Sequence, residues 1–380
     1  PDKSAPKPAS TTGNATAAAV PSPGGEWNSN SARRRAKSSR NVLSQCHDSV
    51  TWVPHSARIG TVTFGVCHRV YSILRAPLTP RRINLLETRT HTIDSLGHAL
   101  HVRDIGAANA APVVMLHGMQ DVAMSLWPIA EALAGRYRVI LPDLRGHGRS
   151  TRSGVYSMDA FVYDLHYIAD ALQLGPFGLF GHSLGGQIAT RFAALFPHYV
   201  TVLSIAEGLG PPRIRNTLNK DTTTGQRLLQ IYNAKTRPLP DLAFARKRLL
   251  KNNPRLPAAR ADEILPHLTE MANGGLRWAF DPRVRAVFLH GENAYEYWPQ
   301  VRCPTLVIGG EHCGEYWARA VAGDGQWDGR FAPGELEERA AIFPHHRLVL
   351  LDGSGHMVHF DEPDRVSAET LNYFAEYWTP

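Results

Sequence analysis

A serine flanked by glycines is the residue of this sequence best suited to covalent chemistry. Residues 181–186 read Gly-His-Ser-Leu-Gly-Gly, between an apolar run (residues 176–180) that predicts a buried strand and residues 187–196, which have helical spacing. A strand that turns directly into a helix strains the backbone at the bend and needs tiny neighbours. Such a turn lifts the Ser183 hydroxyl clear of the sheet, at the positive end of the helix. We predict that Ser183 is a nucleophile; the alternative is a glycine-rich turn with an incidental serine.

A serine hydroxyl is a good nucleophile only when a base accepts its proton and an acid holds that base. Two histidines, His356 and His359, follow the apolar run at residues 347–351. A carboxylate, Glu207, closes the apolar run at residues 199–206, where an unpaired charge is costly. Serine, histidine and carboxylate are the residue types that acyl transfer to a serine uses.

Alternating strands and helices must position these side chains. Residues 86–103 alternate polar and apolar side chains around a turn, which predicts an antiparallel hairpin. Buried strands are predicted at residues 112–116, 137–141, 176–180, 199–206, 304–308 and 347–351, and helices at residues 125–135, 158–172, 187–196 and 363–377. This alternation predicts an α/β fold, with a mostly parallel sheet and helices on both of its faces.

Residues 208–299 interrupt the alternation. They are helix-prone, punctuated by prolines and contain no apolar run of the buried-strand type. We predict that they form an inserted helical cap, which divides the α/β core into residues 85–207 and residues 300–380. Between residues 211 and 260 the insertion carries 12 Lys or Arg against two acids. This excess suits an anionic substrate, but it is also typical of a solvated basic face.

Residues 1–84 differ in composition from the rest of the chain. They contain 12 of the 41 Lys and Arg but only 3 of the 34 Asp and Glu, which leaves 29 − 31 = −2 for residues 85–380. The net charge of +7 therefore belongs to this basic, low-complexity leader. We expect the leader to be largely disordered and the folded body not to bind nucleic acid. The leader also has the composition of an organellar transit peptide; without that role, a cytoplasmic location is expected.

The sequence does not indicate a membrane protein, a disulfide-rich protein or a metalloprotein. No apolar run approaches 18 residues, so no membrane span is predicted. The four cysteines, Cys46, Cys67, Cys303 and Cys313, are too few for a disulfide framework and match no zinc spacing. We find no phosphate loop or dinucleotide fingerprint, and we expect neither a cofactor nor a metal. No pattern indicates an oligomeric state.

Four short motifs, in this order along the chain, resemble those of the α/β-hydrolase superfamily. They are His-Gly at residues 117–118, Asp-Leu-Arg-Gly-His-Gly-Arg-Ser at 143–150, Gly-His-Ser-Leu-Gly-Gly at 181–186 and Gly-His-x-x-His at 355–359. The resemblance covers about residues 85–380. Residues 207–212, Glu-Gly-Leu-Gly-Pro-Pro, are most similar to capped, serine hydrolase-like members. The resemblance implies an α/β-hydrolase fold with a nucleophile elbow at Ser183.

The resemblance also implies roles for other residues. His356 stands where the superfamily keeps the base of its catalytic triad, and His359 where it keeps a supporting residue. The backbone N–H groups of Met119 and Leu184 correspond to an oxyanion hole, which stabilises the charge that develops on the attacked carbonyl.

The acid of the triad is where this sequence departs from the common pattern. The usual place, after the strand at residues 304–308, reads Gly-Glu-His-Cys, with Cys313 where an aspartate is usual. A thiol cannot hold an imidazolium as a carboxylate does. Some members carry the acid after the strand that follows the nucleophile helix, and that position is Glu207. We predict Glu207 as the acid, with Glu311 and Glu315 as alternatives.

The resemblance implies an enzyme, a serine hydrolase that acts through an acyl-enzyme on a small molecule. The simplest substrate is a carboxylic ester. Carbon–carbon bond hydrolysis of a diketone uses the same three residues and stays open, whereas dehalogenases and epoxide hydrolases need a carboxylate where Ser183 stands. The alternative from another class is a non-catalytic ligand-binding protein of the same fold.

Overall fold

An eight-stranded sheet is the central element of this computed structural model. The structure describes residues 87–213, 223–272, 274–288, 294–321 and 330–379, without the side chains of residues 320 and 321. The predicted basic leader, residues 1–84, lies outside the described residues. All the described residues belong to one compact unit of the chain.

The sheet is mostly parallel, as predicted. Its strands are β1 (Thr88–Ser95), β2 (His98–Ile105), β3 (Pro112–Leu116), β4 (Arg138–Pro142), β5 (Phe177–His182), β6 (Val200–Ala206), β9 (Thr305–Gly310) and β10 (His346–Leu351). They lie in the order β1-β2-β4-β3-β5-β6-β9-β10. The hairpin β1–β2 pairs antiparallel and joins β4 antiparallel, and every other neighbouring pair is parallel. The carboxyl ends of β3, β4, β5, β6, β9 and β10 therefore meet at one edge, where ligands bind in open α/β sheets.

Helices cover both faces of the sheet. They are α1 (Trp127–Ala134), α2 (Met158–Ala171), α3 (Leu184–Leu195), α4 (Thr224–Tyr232), α5 (Leu242–Asn252), α6 (Ala258–Leu268), α7 (Gly314–Val321), α8 (Glu335–Ala340), α9 (Val358–Asp361) and α10 (Pro363–Tyr377). Two apolar cores result: α2 and α3 contribute to one, for example with Phe161 and Ile188, and α1 and α10 to the other, with Ile129 and Phe374. None of the described helices is long and apolar enough to cross a membrane.

The local sequence explains these elements. Strand β3 is apolar throughout because it lies in the middle of the sheet, with helices on both of its sides. Helix α2 begins after Ser157, whose hydroxyl accepts a hydrogen bond from the backbone N–H of Ala160. Its buried residues Phe161, Leu165 and Ile168 recur at helical spacing and face the sheet.

The region between β6 and β9 is built differently. Helices α5 and α6 pack together through Leu249 and Ile264, and their apolar cluster extends to Val122 and Phe360 of the core. A small hairpin, β7 (Thr269–Ala272) and β8 (Gly275–Trp278), follows α6. The sequence did not predict this hairpin, because each strand has only four residues and both are largely half-buried.

Candidate active site

Ser183 occupies a strained turn between β5 and α3. Its backbone φ is 51°, a left-handed conformation that is uncommon outside glycine, and it is the residue just before the first turn of α3. Gly185 passes so close to β3 that an added Cβ would collide with the carbonyl groups of Leu116 and His117. The glycines of this motif are therefore needed for the turn, and the turn presents the serine hydroxyl at the carboxyl edge of the sheet.

A continuous set of hydrogen-bonded side chains starts at this serine. The Oγ atom of Ser183 lies 3.0 Å from Nε2 of His356, and Nδ1 of the same ring lies 2.9 Å from Oε2 of Glu207. His356 and Glu207 are 4% and 8% exposed, so water hardly competes for these contacts. With Glu207 accepting from Nδ1, the Nε2 lone pair is available to accept the serine proton.

Glu207 is fixed by the backbone of the neighbouring strand β9. Its own N–H donates to the carbonyl of Ile308 at 2.8 Å, and its Oε1 atom accepts from the N–H of Gly310 at 2.6 Å. Its φ of 55° turns the chain sharply as β6 ends. The contact with Gly310 leaves Oε2 directed to His356 and satisfies the second carboxylate oxygen of this buried group.

The alternative acids lie elsewhere in the structure. The side chain of Glu311 is 59% exposed and accepts from the N–H of Gly353. That of Glu315 is 44% exposed and forms a two-pronged ion pair with Arg255 at 2.8 and 2.9 Å. Cys313 is buried, and burial, followed by the charge of Glu207, raises the pKa of its thiol. Of the three glutamates, only Glu207 is hydrogen-bonded to His356.

Two backbone N–H groups lie beside Ser183. Leu184 is the first residue of α3, and Met119 follows the His117-Gly118 motif. A Cβ added to Gly118 would lie 3.4 Å from Cβ of Ser183, which shows how close this loop comes to the serine. Neither N–H donates a hydrogen bond to another of the described residues. Both are thus able to donate to an oxygen bound at Ser183.

His359 belongs to a second, fully buried cluster. Its Nε2 atom lies 3.2 Å from Oδ2 of Asp121, and its ring packs 4.2 Å from that of His182. Nε2 of His182 donates to the carbonyl oxygen of His356 at 2.9 Å, so the cluster supports the backbone that carries His356. Burial, then the neighbouring histidines, holds the pKa of His182 well below its usual range. The sequence indicated a supporting role for His359 but not its partner Asp121.

The same three residues have the spacing of metal ligands. Asp121, His182 and His359 each offer one ligand atom within 4.8 Å of the other two. It is the one such group among the residues that the structure describes.

Aromatic residues next to His356 were missed at the sequence level. The ring of Tyr316 stacks on the imidazole with 4.1 Å between centroids and 13° between planes, and Trp317 meets it edge-on at 5.2 Å. Both belong to α7, which follows the loop after β9 that contains Glu311 and Cys313. The only signal was an aromatic pair soon after β9, and such pairs are usually core residues.

The chain belongs to the alpha/beta hydrolase fold family. The family model matches residues 111–363, which include every residue of the site described above. The sheet order, the turn at Ser183 and the position of His356 after the last strand agree with this membership.

Individual relatives point in the same direction. A serine hydrolase-like protein of Danio rerio is 24% identical over 289 residues, 70% of this chain and 82% of the relative. A Haemophilus influenzae protein named as an esterase/lipase is 26% identical over 263 residues, 68% of this chain and 81% of the relative. Among solved structures, the thioesterase domain from the curacin biosynthetic pathway is 23% identical, with a TM-score of 0.62, and covers 75% of this chain and 99% of that domain. The relatives support a hydrolase.

Proposed function

We propose that the protein is a serine hydrolase that acts through an acyl-enzyme, most simply on the carboxylic ester of a small molecule. The observation that carries this proposal is the unbroken set of hydrogen bonds from Ser183 through His356 to Glu207. Nucleophile, base and acid stand in the order that acyl transfer requires. The names of the esterase/lipase and thioesterase relatives are consistent with ester chemistry.

In the proposed mechanism, the Oγ atom of Ser183 attacks the ester carbonyl while Nε2 of His356 takes its proton. The N–H groups of Met119 and Leu184 stabilise the oxyanion that forms. Collapse of this intermediate expels the alcohol, which takes the proton from His356 and leaves the acyl group on Ser183. A water molecule, deprotonated by His356, then releases the acid and restores the serine. Glu207 holds the imidazole in one tautomer and stabilises its charged form throughout.

We also propose that residues 208–299 are a cap that shapes the substrate site. The support is the apolar cluster that joins α5 and α6 to Val122 and Phe360, which follow the Met119 loop and His356. The Arg255–Glu315 ion pair adds a link between this region and α7. A segment that touches both of these loops is well placed to select substrates.

A fluorophosphonate probe tests the nucleophile directly. We expect intact-mass measurement to find one adduct on the wild-type protein and none on Ser183→Ala, with thermal unfolding as the check that both are folded. A folded wild-type protein that takes up no adduct would contradict the proposal and favour the non-catalytic alternative. Turnover of a chromogenic short-chain ester and of a diketone then separates ester from carbon–carbon bond hydrolysis.

A further inference from the structure

A cavity of about 210 Å³ lies between the loop that follows β4 and the point where α6 ends and β7 begins. Its lining includes Arg103, Asp143, Arg149, His267 and Glu270, and none of the three hydrogen-bonded residues of the candidate active site. About 10–15 Å³ of such volume holds one water molecule, so the cavity has room for a polyatomic ligand.

Two arginines line this cavity, Arg103, which forms an ion pair with Asp143, and Arg149. The side chain of Arg103 is only 12% exposed, and its Nη1 atom makes no hydrogen bond and lies 3.6 Å from Oδ2 of Asp143. The guanidinium of Arg149 has neither a hydrogen bond nor an ion pair with any residue that the structure describes. Arg149 is exposed, so water can reach its donors. Nη1 of Arg103 is buried, and a buried donor without a hydrogen bond is costly.

The acids of the cavity are already engaged. The two oxygens of Asp143 accept from backbone N–H groups at 3.0 and 3.1 Å. Oε1 of Glu270 pairs with both Arg152 and Arg277, at 2.8 and 2.6 Å. The lining itself carries two arginines and two acids, and Glu270 is shared with Arg152 and Arg277, which lie outside the lining.

The two arginines of the lining act on each other and on His267. Burial lowers the pKa of the Arg103 guanidinium more than the nearby Asp143 raises it, and the Arg149 cation lowers it further. Burial, then Arg103 and Arg149, also lowers the pKa of His267. The two guanidinium groups thus act on the same small volume and repel each other there, which an anion would relieve.

We propose that this cavity binds a small oxyanion, a phosphate or carboxylate group, between the guanidinium groups of Arg103 and Arg149. The planar fork of a guanidinium matches the oxygens of such a group, and charge-assisted hydrogen bonds of this kind are the strong ones. The anion is either a free one or the acidic end of a larger molecule. The site does not depend on the proposed hydrolase activity.

Thermal unfolding in the presence of inorganic phosphate tests the site. The reference is the same measurement with chloride instead of phosphate, at the same ionic strength. Phosphate should raise the unfolding temperature of the wild-type protein and have little effect on Arg149→Gln. Titration calorimetry should find phosphate affinity about 10- to 100-fold weaker in that variant, the loss expected for charge-assisted hydrogen bonds. Arg149 is exposed, so the variant is expected to fold, which its unfolding temperature in chloride verifies.

Arg248→Gln is the matched control, because Arg248 is an exposed arginine of α5 without an ion pair among the described residues. It removes the same charge away from the cavity and should keep the wild-type response to phosphate. An equal loss in both variants would mean general charge attraction and would overturn the proposal. So would a wild-type protein that does not respond, or an Arg149→Gln protein that responds as the wild type does.

Kinetics of the wild-type protein and of Arg149→Gln show whether the anion is free or is part of a substrate. If the group is part of a substrate, Arg149→Gln should raise KM for an ester with a terminal carboxylate and leave KM for its neutral analogue unchanged. If the anion binds on its own, both KM values stay the same while the phosphate response is still lost. Either result, combined with that loss, supports the site.

Discussion

Replacing Glu207 by glutamine is the sharpest test of the site, because it changes one charge and almost no volume. The oxygen of the new amide can still accept from the N–H of Gly310, the 2.6 Å contact. Its NH2 group then faces Nδ1 of His356 at the 2.9 Å position. Two donors cannot face each other, so the ring adopts the tautomer with its proton on Nε2 and cannot accept the proton of Ser183.

The expected loss follows from this tautomer. A comparable acid-to-amide change in a serine protease lowers kcat about 10⁴-fold, equal to about 5 kcal/mol of transition-state stabilisation. We expect Glu207→Gln to lower kcat by two to four orders of magnitude, that is about 10²- to 10⁴-fold, with little change in KM. The assay is steady-state hydrolysis of a chromogenic ester, with circular dichroism and thermal unfolding to verify folding.

Two matched variants make this experiment decisive. Glu311→Gln and Glu315→Gln carry the same substitution at exposed positions in the neighbouring segment, and both should stay within about threefold of the wild-type kcat, since exposed ion pairs contribute about 1 kcal/mol or less. If either loses more turnover than folded Glu207→Gln, our assignment of the acid is wrong. The assignment is equally wrong if Glu207→Gln keeps most of its activity.

Three further predictions concern the surroundings of the proposed active site. Gly118→Ala would place its Cβ 2.7 Å from Nδ1 of His182, so the loop must shift. We expect kcat to fall about 10²-fold, which is the effect of losing one oxyanion donor. An unchanged kcat would contradict the predicted oxyanion hole. Tyr316→Leu removes the ring that stacks on His356 and should lower kcat about 10-fold. Tyr316→Phe keeps the stacked ring and should keep the wild-type kcat. Equal losses of kcat in both variants would refute a role for stacking. Burial lowers the pKa of His147 from 6.5 to about 3. As the pH falls through this window, the unfolded chain binds the proton before the folded protein does, so the free energy of unfolding should decrease by up to about 1.4 kcal/mol per pH unit. Urea unfolding at several pH values measures this free energy, and a flat profile below pH 6.5 would show that His147 is not neutral in the folded protein.

The sequence was sufficient for the elements that have strong local signals. Each predicted strand from residue 112 onward appears within two residues of its expected bounds, because a buried parallel strand is a continuous apolar run between turns. The final helix was predicted as residues 363–377 and is α10 (Pro363–Tyr377). The hairpin β7–β8 was missed because short, half-buried strands have no such run.

The sequence predicted Glu207 as the acid but left Glu311 and Glu315 as alternatives, for a reason that the sheet order makes clear. Strand β6 lies between β5 and β9, so residues that follow β6 and residues that follow β9 both end beside the same histidine loop. Spacing alone leaves Glu207, Glu311 and Glu315 open. Only the side-chain directions, set by the turn at Glu207 and its contact with Gly310, distinguish them. The stacking of Tyr316 likewise depends on a contact between segments distant in sequence.

The adjacency of β5 and β6 has a consequence for dividing the chain. Ser183 and Glu207 both precede the segment with α4, α5 and α6, and His356 follows it. A cut within that segment leaves the nucleophile and acid on one fragment and the base on the other. If the protein is the proposed serine hydrolase, neither fragment alone should hydrolyse an ester, and turnover should appear only when β6 and β9 pair again. The two halves would then serve as a complementation pair, in which product formation above the uncatalysed rate reports reassembled molecules.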